Sequence, residues 1–142
     1  MTAVIKITDK ITEKAILRIK MKITSVHYKI AAESILAIPM ILLIILGSGE
    51  MVGGDISGAQ HFIELIPFIF LAIISWLYPK LGGIILTACS ALLAALYITL
   101  FGSFPMIYRI INDVILFLPP FVAGILFLTA GMESEKDELG IL

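Results

Sequence analysis

The sequence predicts an all-α polytopic membrane protein, an antiparallel bundle of four transmembrane helices preceded by an N-terminal basic amphipathic helix. The 142 residues are 60% hydrophobic and only 15% charged, whereas soluble domains have about 25% charged residues. Four apolar stretches are long enough to cross a hydrocarbon core of about 30 Å as helices, and turn-forming residues separate them. The predicted segments are a cytoplasmic basic segment at 1–29, the four-span domain at 30–131 and an acidic cytoplasmic tail at 132–142.

Each predicted span has a recognisable end. The run GSGEMVGGDISG follows the first span and predicts a loop. The second span opens on a capping box, in which Ser57 and Gln60 satisfy backbone donors of the first helical turn, and Pro79 ends it. Because the connections are short, consecutive helices should pack antiparallel. The predicted bounds are about 30–47, 57–79, 81–102 and 112–131.

The distribution of basic residues predicts the orientation. Seven of the ten lysines and arginines precede residue 30. With both termini inside, the inner side also holds Lys80 and Lys136, and the outer side holds only Arg109. Basic loops resist translocation, so we expect a multi-pass protein of the cell (plasma) membrane with both termini in the cytoplasm.

The N-terminal segment favours a helix over a strand. Residues 17–23, LRIKMKI, alternate as a strand would, but the apolar residues Ile16, Ile19 and Ile23 recur with helical spacing. Basic residues four apart form a second row, and each would contribute about 1 kcal/mol against anionic lipid head groups of the inner leaflet. The same helix could instead pack on a partner protein or on another copy. The basic row comprises Lys6, Lys10, Lys14, Arg18 and Lys22.

The third span carries a row of small residues with a four-residue repeat. Small residues let helix backbones approach closely, which favours helix association in lipid. This face is predicted to lie at the centre of the bundle or of an oligomer. The row comprises Gly83, Thr87, Ala91, Ala95 and Thr99.

The stretch HFIELIP places two ionisable residues, His61 and Glu64, near the outer end of the second span. They are three residues apart and share a helix face, so they are candidates for a proton, ion or ligand contact. Other polar residues should gather at the same end, where Arg109 would neutralise Asp113 or Glu64 if the layer is purely structural. The predicted outer layer comprises Glu50, Asp55, Arg109 and Asp113.

Glu33 begins the first span near the inner face. An ionisable residue inside a membrane usually pairs with an opposite charge or extends to water. We therefore expect Glu33 to pair with Lys29 or Lys80, or to reach the aqueous surface.

The sequence lacks the residue patterns that metal binding, nucleophilic catalysis, phosphate binding and disulfide formation require. The H-x-x-E pattern of His61 and Glu64 supplies two metal ligands, and no second motif completes a set of three. The serines lack an evident base, and the chain has no phosphate-binding glycine loop. Cys89 is the only cysteine, so no intramolecular disulfide is possible. We expect no enzyme activity, no metal, no cofactor and no nucleic-acid partner.

Three short motifs carry a resemblance to a known family. They are ELIP at Glu64–Pro67, YPKLGGIIL at Tyr78–Leu86 and GILFL at Gly124–Leu128. From about residue 35 to residue 131 the chain resembles a family of small, four-span prokaryotic integral membrane proteins without an assigned function. The resemblance implies the fold and no activity. Histidine is common in that family at the position of Glu64, and the basic N-terminal segment lies outside the resemblance.

Two functions follow from these features. The first is a non-catalytic helical subunit or scaffold that binds a membrane partner or itself. The alternative is a transporter or channel for an ion or small solute, with or without proton coupling, that uses Glu64. One four-span chain encloses little volume, so a transporter of this size would have to be an oligomer.

Overall fold

The structure is a computed structural model that describes residues 2–100 and 106–139. It gives side-chain surroundings for residues 11–99, 106–107, 110–111 and 114–136. The described residues form four α-helices and a short 3₁₀ turn, Ile56–Gly58, with no strand among them. The predicted all-α fold is confirmed. The helices are α1 (Thr2–Val52), α2 (Ala59–Leu77), α3 (Pro79–Leu100) and α4 (Met106–Leu139).

All four helices are long and apolar enough to cross a membrane. The second and third stretches lie close to the predicted spans. The first and fourth extend beyond them, because α1 and α4 continue as helices through the predicted N-terminal segment and into the acidic tail. The four stretches are Ile11–Val52, Ile56–Leu77, Pro79–Thr99 and Val114–Lys136.

Helix α1 is continuous across the predicted boundary at residue 29. The helical prediction for residues 17–23 is confirmed, but this segment and the first span form one helix. The 51 residues of α1 extend about 76 Å at 1.5 Å per residue. A hydrocarbon core of about 30 Å takes about 20 residues of a perpendicular helix, so α1 is more than twice as long as one such span requires.

The helices are arranged as a square. Helix α1 packs against α2 and α4, and α3 packs against the same two helices from the opposite corner. Consecutive helices are antiparallel, so the bundle has two distinct ends. We call them the His61 end, where the turn 53–58 joins α1 to α2, and the Lys80 end, where Tyr78 joins α2 to α3.

The core lies between α1, α3 and α4. Its buried residues are Ala32, Leu36, Leu86, Ala123 and Phe127. Helix α2 contributes only half-buried side chains to this cluster, those of Phe68, Leu71 and Ala72. It exposes most of its apolar surface, which is consistent with lipid around the bundle.

Helices α3 and α4 approach each other closely at two glycines. A Cβ atom on Gly83 would lie 2.7 Å from the carbonyl oxygen of Gly124, and one on Gly124 would collide with the Thr87 hydroxyl. Thr87 Oγ1 donates to the Gly83 carbonyl at 2.8 Å and so adds no unsatisfied group to this contact. The two backbones meet here because neither glycine has a side chain.

Helices α2 and α3 form a tight hairpin. Only Tyr78 separates them, and its amide donates to the Ile74 carbonyl at 2.7 Å. Pro79 starts α3, where a missing amide proton has no helical partner to lose. One turn on either side of Tyr78, Ser75 packs directly against Gly82. Ser75 is fully buried, and no group in the described part of the chain bonds to its hydroxyl.

The predicted capping box at Ser57 is wrong. The Asp55 carboxylate accepts the Ser57 amide at 2.9 Å, so Asp55 is the cap and Ser57 belongs to the 3₁₀ turn. Helix α2 begins at Ala59, and Gln60 bonds to Glu64 instead of returning to Ser57. The loop predicted after residue 47 is also shorter than expected, because α1 continues to Val52.

Candidate functional site

The His61 end brings together four polar side chains from two helices, which we call the His61 cluster: Glu50, Gln60, His61 and Glu64. His61 Nδ1 lies 3.2 Å from Glu64 Oε2, and His61 Nε2 lies 3.5 Å from Glu50 Oε2. The imidazole therefore stands between two carboxylates, one on each helix. Gln60 Nε2 donates to the second oxygen of Glu64 at 3.3 Å.

Close packing of α1 on the turn positions this cluster. A Cβ atom on Gly58 would lie 2.6 Å from the Gly47 carbonyl oxygen and 2.9 Å from Glu50 Cβ. The backbone of the turn thus lies directly on the last turns of α1. Glu50 comes one turn after Gly47 and is brought to the side of His61.

The arrangement can hold and transfer a proton. A histidine with a carboxylate at each ring nitrogen can carry a proton on either side. The side chain of His61 is 26% exposed and those of Glu50 and Glu64 are 40% and 44% exposed, so the described part of the chain does not enclose the cluster. Among the described residues, no group of three or more His, Cys, Asp or Glu side chains could hold a metal ion.

The predicted outer polar layer is only partly assembled in the described part of the chain. Glu50 joins His61 and Glu64. Asp55 does not, because its carboxylate caps the turn. Hydrogen bonding from the Ser57 side chain, and then from the Ser57 amide, holds the pKa of Asp55 below its usual range. Arg109 and Asp113 were also predicted to join this layer, but their side chains are not among those that the structure describes. Gln60 was missed, although its spacing of four from Glu64 predicts a contact on a helix.

The small-residue row of α3 enters the helix contact only at the Lys80 end. Gly83 is buried and Thr87 is half-buried against α4. Ala91 lines a cavity of about 250 Å³ between α3 and α4, and Ala95 and Thr99 are exposed. The face of α3 that packs on α4 instead includes the buried residues Leu86 and Ser90.

The basic row of α1 lies along the part of the helix that extends past the end of α2. Lys14, Arg18 and Lys22 are exposed. Lys6 and Lys10 also belong to the predicted row, but their side chains are not among those that the structure describes. Every residue from 11 to 20 is exposed, so this part of α1 has little cover from the rest of the chain.

The Lys80 end holds two ion pairs among the described residues. Lys80 Nζ lies 2.6 Å from Glu135 Oε2, and Lys136 Nζ lies 3.2 Å from Glu133 Oε1. The first pair ties the start of α3 to the extension of α4. Lys80 is therefore not the partner of Glu33.

Lys29 is not the partner of Glu33 either. Its ammonium donates to the Trp76 carbonyl at 3.1 Å and lies 5.8 Å from the centre of the Trp76 ring. The predicted ion pairs of Glu33 are therefore wrong. A carbonyl at the end of a helix lacks a helical donor. The Trp76 carbonyl therefore competes with Glu33 for the Lys29 ammonium, and sequence spacing alone did not reveal this competition.

Comparisons of the chain with protein-family models, curated proteins and solved structures found no match.

Proposed function

We propose that this protein is a non-catalytic scaffold of the cell membrane that binds a membrane partner or a second copy of itself. The observation that carries this proposal is the N-terminal extension of α1. Lys29 contacts the last turn of α2, so residues 2–28 extend beyond the end of that helix. At 1.5 Å per residue they are about 40 Å long. Helix α4 lies beside this segment at Met21 and Lys22, whereas every residue from 11 to 20 is exposed.

The extension has an unpaired apolar side. Ile16, Ile19 and Ile23 are 59%, 61% and 52% exposed. On a helix these three point away from Ser25, whose hydroxyl bonds to the Ala130 carbonyl of α4 at 3.0 Å. Exposed apolar rows with helical spacing are typical of surfaces that pack on another helix.

Continuity of α1 favours a protein partner over a helix lying flat on the membrane. A segment that lay along the inner leaflet would need a break between itself and the span, and α1 has none near residue 29. In this proposal the basic side chains closest to the bundle, such as Lys22, contact anionic lipid head groups. The apolar row of the extension binds the partner.

The orientation in this proposal follows from the basic residues. The extension, Lys80 and Lys136 all belong to the Lys80 end, which would face the cytoplasm. Both termini would then lie inside the cell, and the His61 cluster would lie at the outer surface.

Mass determination of the intact complex after gentle purification in native conditions tests the scaffold proposal. We expect a mass above that of one chain, 15.5 kDa. The double variant Ile16→Asn with Ile19→Asn should reduce the complex to a monomer. The double variant Glu13→Asn with Lys14→Asn, which leaves the apolar row intact, should retain it. A monomeric wild-type chain with nothing attached would contradict the proposal.

The His61 cluster supports a second candidate, an oligomeric proton-coupled transporter. A histidine between two carboxylates at a membrane surface is a group through which protons can enter. If Glu64 accepts that proton, Glu64→Gln should abolish proton flux into liposomes without changing assembly. Asp55→Asn, at the same end but outside the cluster, should leave the flux unchanged. Equal flux through the Glu64→Gln variant would reject this candidate.

A further inference from the structure

Glu33 is an ionisable residue inside the bundle region that the chain itself does not neutralise. Its side chain is half-buried on α1, four residues after Lys29. No group in the described part of the chain donates a hydrogen bond to it or pairs with it, because Lys29 bonds to Trp76 and Lys80 bonds to Glu135. An acid at such a depth without a partner is typical of a functional site.

Glu33 lines a groove between α1 and α2. The groove has a volume of about 350 Å³, and its other lining residues are Ala72, Ile73, Trp76 and Leu77. These four are apolar or aromatic, so the carboxylate is the one charged group in the lining. The groove opens on the side of the bundle, where apolar side chains such as Ile73 are exposed.

Trp76 gives the groove a second feature that favours a cation. The indole ring already lies near the ammonium of Lys29, at 5.8 Å from ring centre to nitrogen, which is within the range of a cation–π contact. Lys29 is bonded to the Trp76 carbonyl, so it holds this residue in place while leaving the carboxylate of Glu33 unpaired.

We propose that this groove binds a lipophilic organic cation. A carboxylate provides the opposite charge, an indole ring favours cations over anions of the same shape, and apolar walls accept the hydrocarbon of the ligand. A metal ion does not fit, since the groove offers one carboxylate where hard cations take six or more oxygen ligands or keep several waters. This site goes beyond the scaffold proposal and does not depend on it.

The chain provides its own reporter for a binding test, because Trp76 is its only tryptophan. The fluorescence of Trp76 is measured in the purified full-length protein, in detergent and mildly alkaline buffer, during titration with tetraphenylphosphonium. Tetraphenylborate is the matched control, since it has nearly the same size and shape with the opposite charge. We expect saturable quenching by the cation and at least about tenfold weaker binding of the anion.

Variants assign the binding to the groove. Glu33→Gln should weaken binding of tetraphenylphosphonium by about tenfold or more, because it removes the opposite charge and preserves the shape. Glu13→Gln, the same change at an exposed acid of α1 outside the groove, should leave the affinity unchanged. Ile73→Lys places a cation in the groove, and it should also abolish binding, so a second variant remains if Glu33→Gln fails to fold.

Two results would overturn the proposal. One is equal affinity for tetraphenylphosphonium and tetraphenylborate, which would indicate simple partition onto apolar surface. The other is unchanged affinity in a folded Glu33→Gln or Ile73→Lys variant, as judged by helical circular dichroism.

Discussion

Gly83 of α3 and Gly124 of α4 face each other with no side chain between them, and a Cβ atom on Gly83 would lie 2.7 Å from the Gly124 carbonyl oxygen. The two helix backbones approach each other closely at this contact. Extra volume there must separate the helices or displace Thr87, whose hydroxyl bonds to the Gly83 carbonyl.

Gly124→Ala should therefore destabilise the protein by about 1–3 kcal/mol, the usual cost of overpacking. Unfolding of the purified protein in a denaturing detergent measures the change. Gly49→Ala is the matched control, because a Cβ atom on Gly49 would have nothing within 4 Å. Alanine within a helix should be neutral or stabilising there, by up to about 1 kcal/mol. Equal effects of the two substitutions would contradict a close contact between α3 and α4.

Ser75→Ala should stabilise the hairpin of α2 and α3. The Ser75 hydroxyl is fully buried and has no partner among the described groups, and an unsatisfied buried polar group costs about 1–3 kcal/mol. We expect a gain of up to about 1 kcal/mol in the same unfolding measurement. Ser34→Ala is the control, since Ser34 is exposed and bonds to its own helix at 2.9 Å. A marked loss of stability in Ser75→Ala would mean that the hydroxyl is satisfied.

The cap at Asp55 should make the turn between α1 and α2 sensitive to acid. The Ser57 side chain and the Ser57 amide both lower the pKa of Asp55 by hydrogen bonding, so the carboxylate stabilises the turn above the ordinary aspartate range, near about 3.9. This stabilisation is lost as the pH falls through the lowered pKa of the folded state. Amide exchange protection at Ser57, corrected for intrinsic rates, should decrease in that window.

Two variants at residue 55 separate the charge from the hydrogen bond. Asp55→Asn keeps an oxygen acceptor, so protection of the Ser57 amide should persist and lose its dependence on pH. Asp55→Ala removes the acceptor, and protection should be lost throughout. Wild-type protection that does not change in acid would contradict a role for the carboxylate.

The ion pair between Lys80 and Glu135 should contribute little despite its 2.6 Å separation. Both side chains are about half exposed, at 56% and 48%, and such pairs contribute about 0–1 kcal/mol. A double-mutant cycle with Lys80→Met and Glu135→Gln should give a coupling in that range that decreases with salt. A larger coupling that salt does not change would indicate a pair shielded from water.

Hydrophobic runs and turn residues were sufficient to predict four membrane-spanning helices. The boundary between the second and third was predicted two residues too late, because α2 ends at Leu77 and Pro79 is the first residue of α3. The same patterns did not reveal that α1 is continuous, because a change from basic to apolar composition is not a helix break. Hydropathy changed near residue 30, but residues 28–31 contain no glycine or proline to end a helix.

The polar contacts were harder to predict than the helices. The spacing of His61 and Glu64 correctly placed them in contact, because both lie on one helix. Glu33 was expected to pair with lysines of similar depth, but each of those has a better partner on another helix: a carbonyl for Lys29 and a carboxylate for Lys80. Such choices depend on how helices are rotated, which sequence spacing within one helix does not determine.

Cysteine labelling in intact cells tests the central claim that the chain crosses the membrane four times with the Lys80 end inside. In a Cys89→Ala background, single cysteines are introduced at the exposed positions Lys14, Ile56 and Lys136. A membrane-impermeant maleimide should label Ile56→Cys in intact cells, and Lys14→Cys and Lys136→Cys only after permeabilisation. Labelling of Lys14→Cys or Lys136→Cys from outside the intact cell would contradict the account.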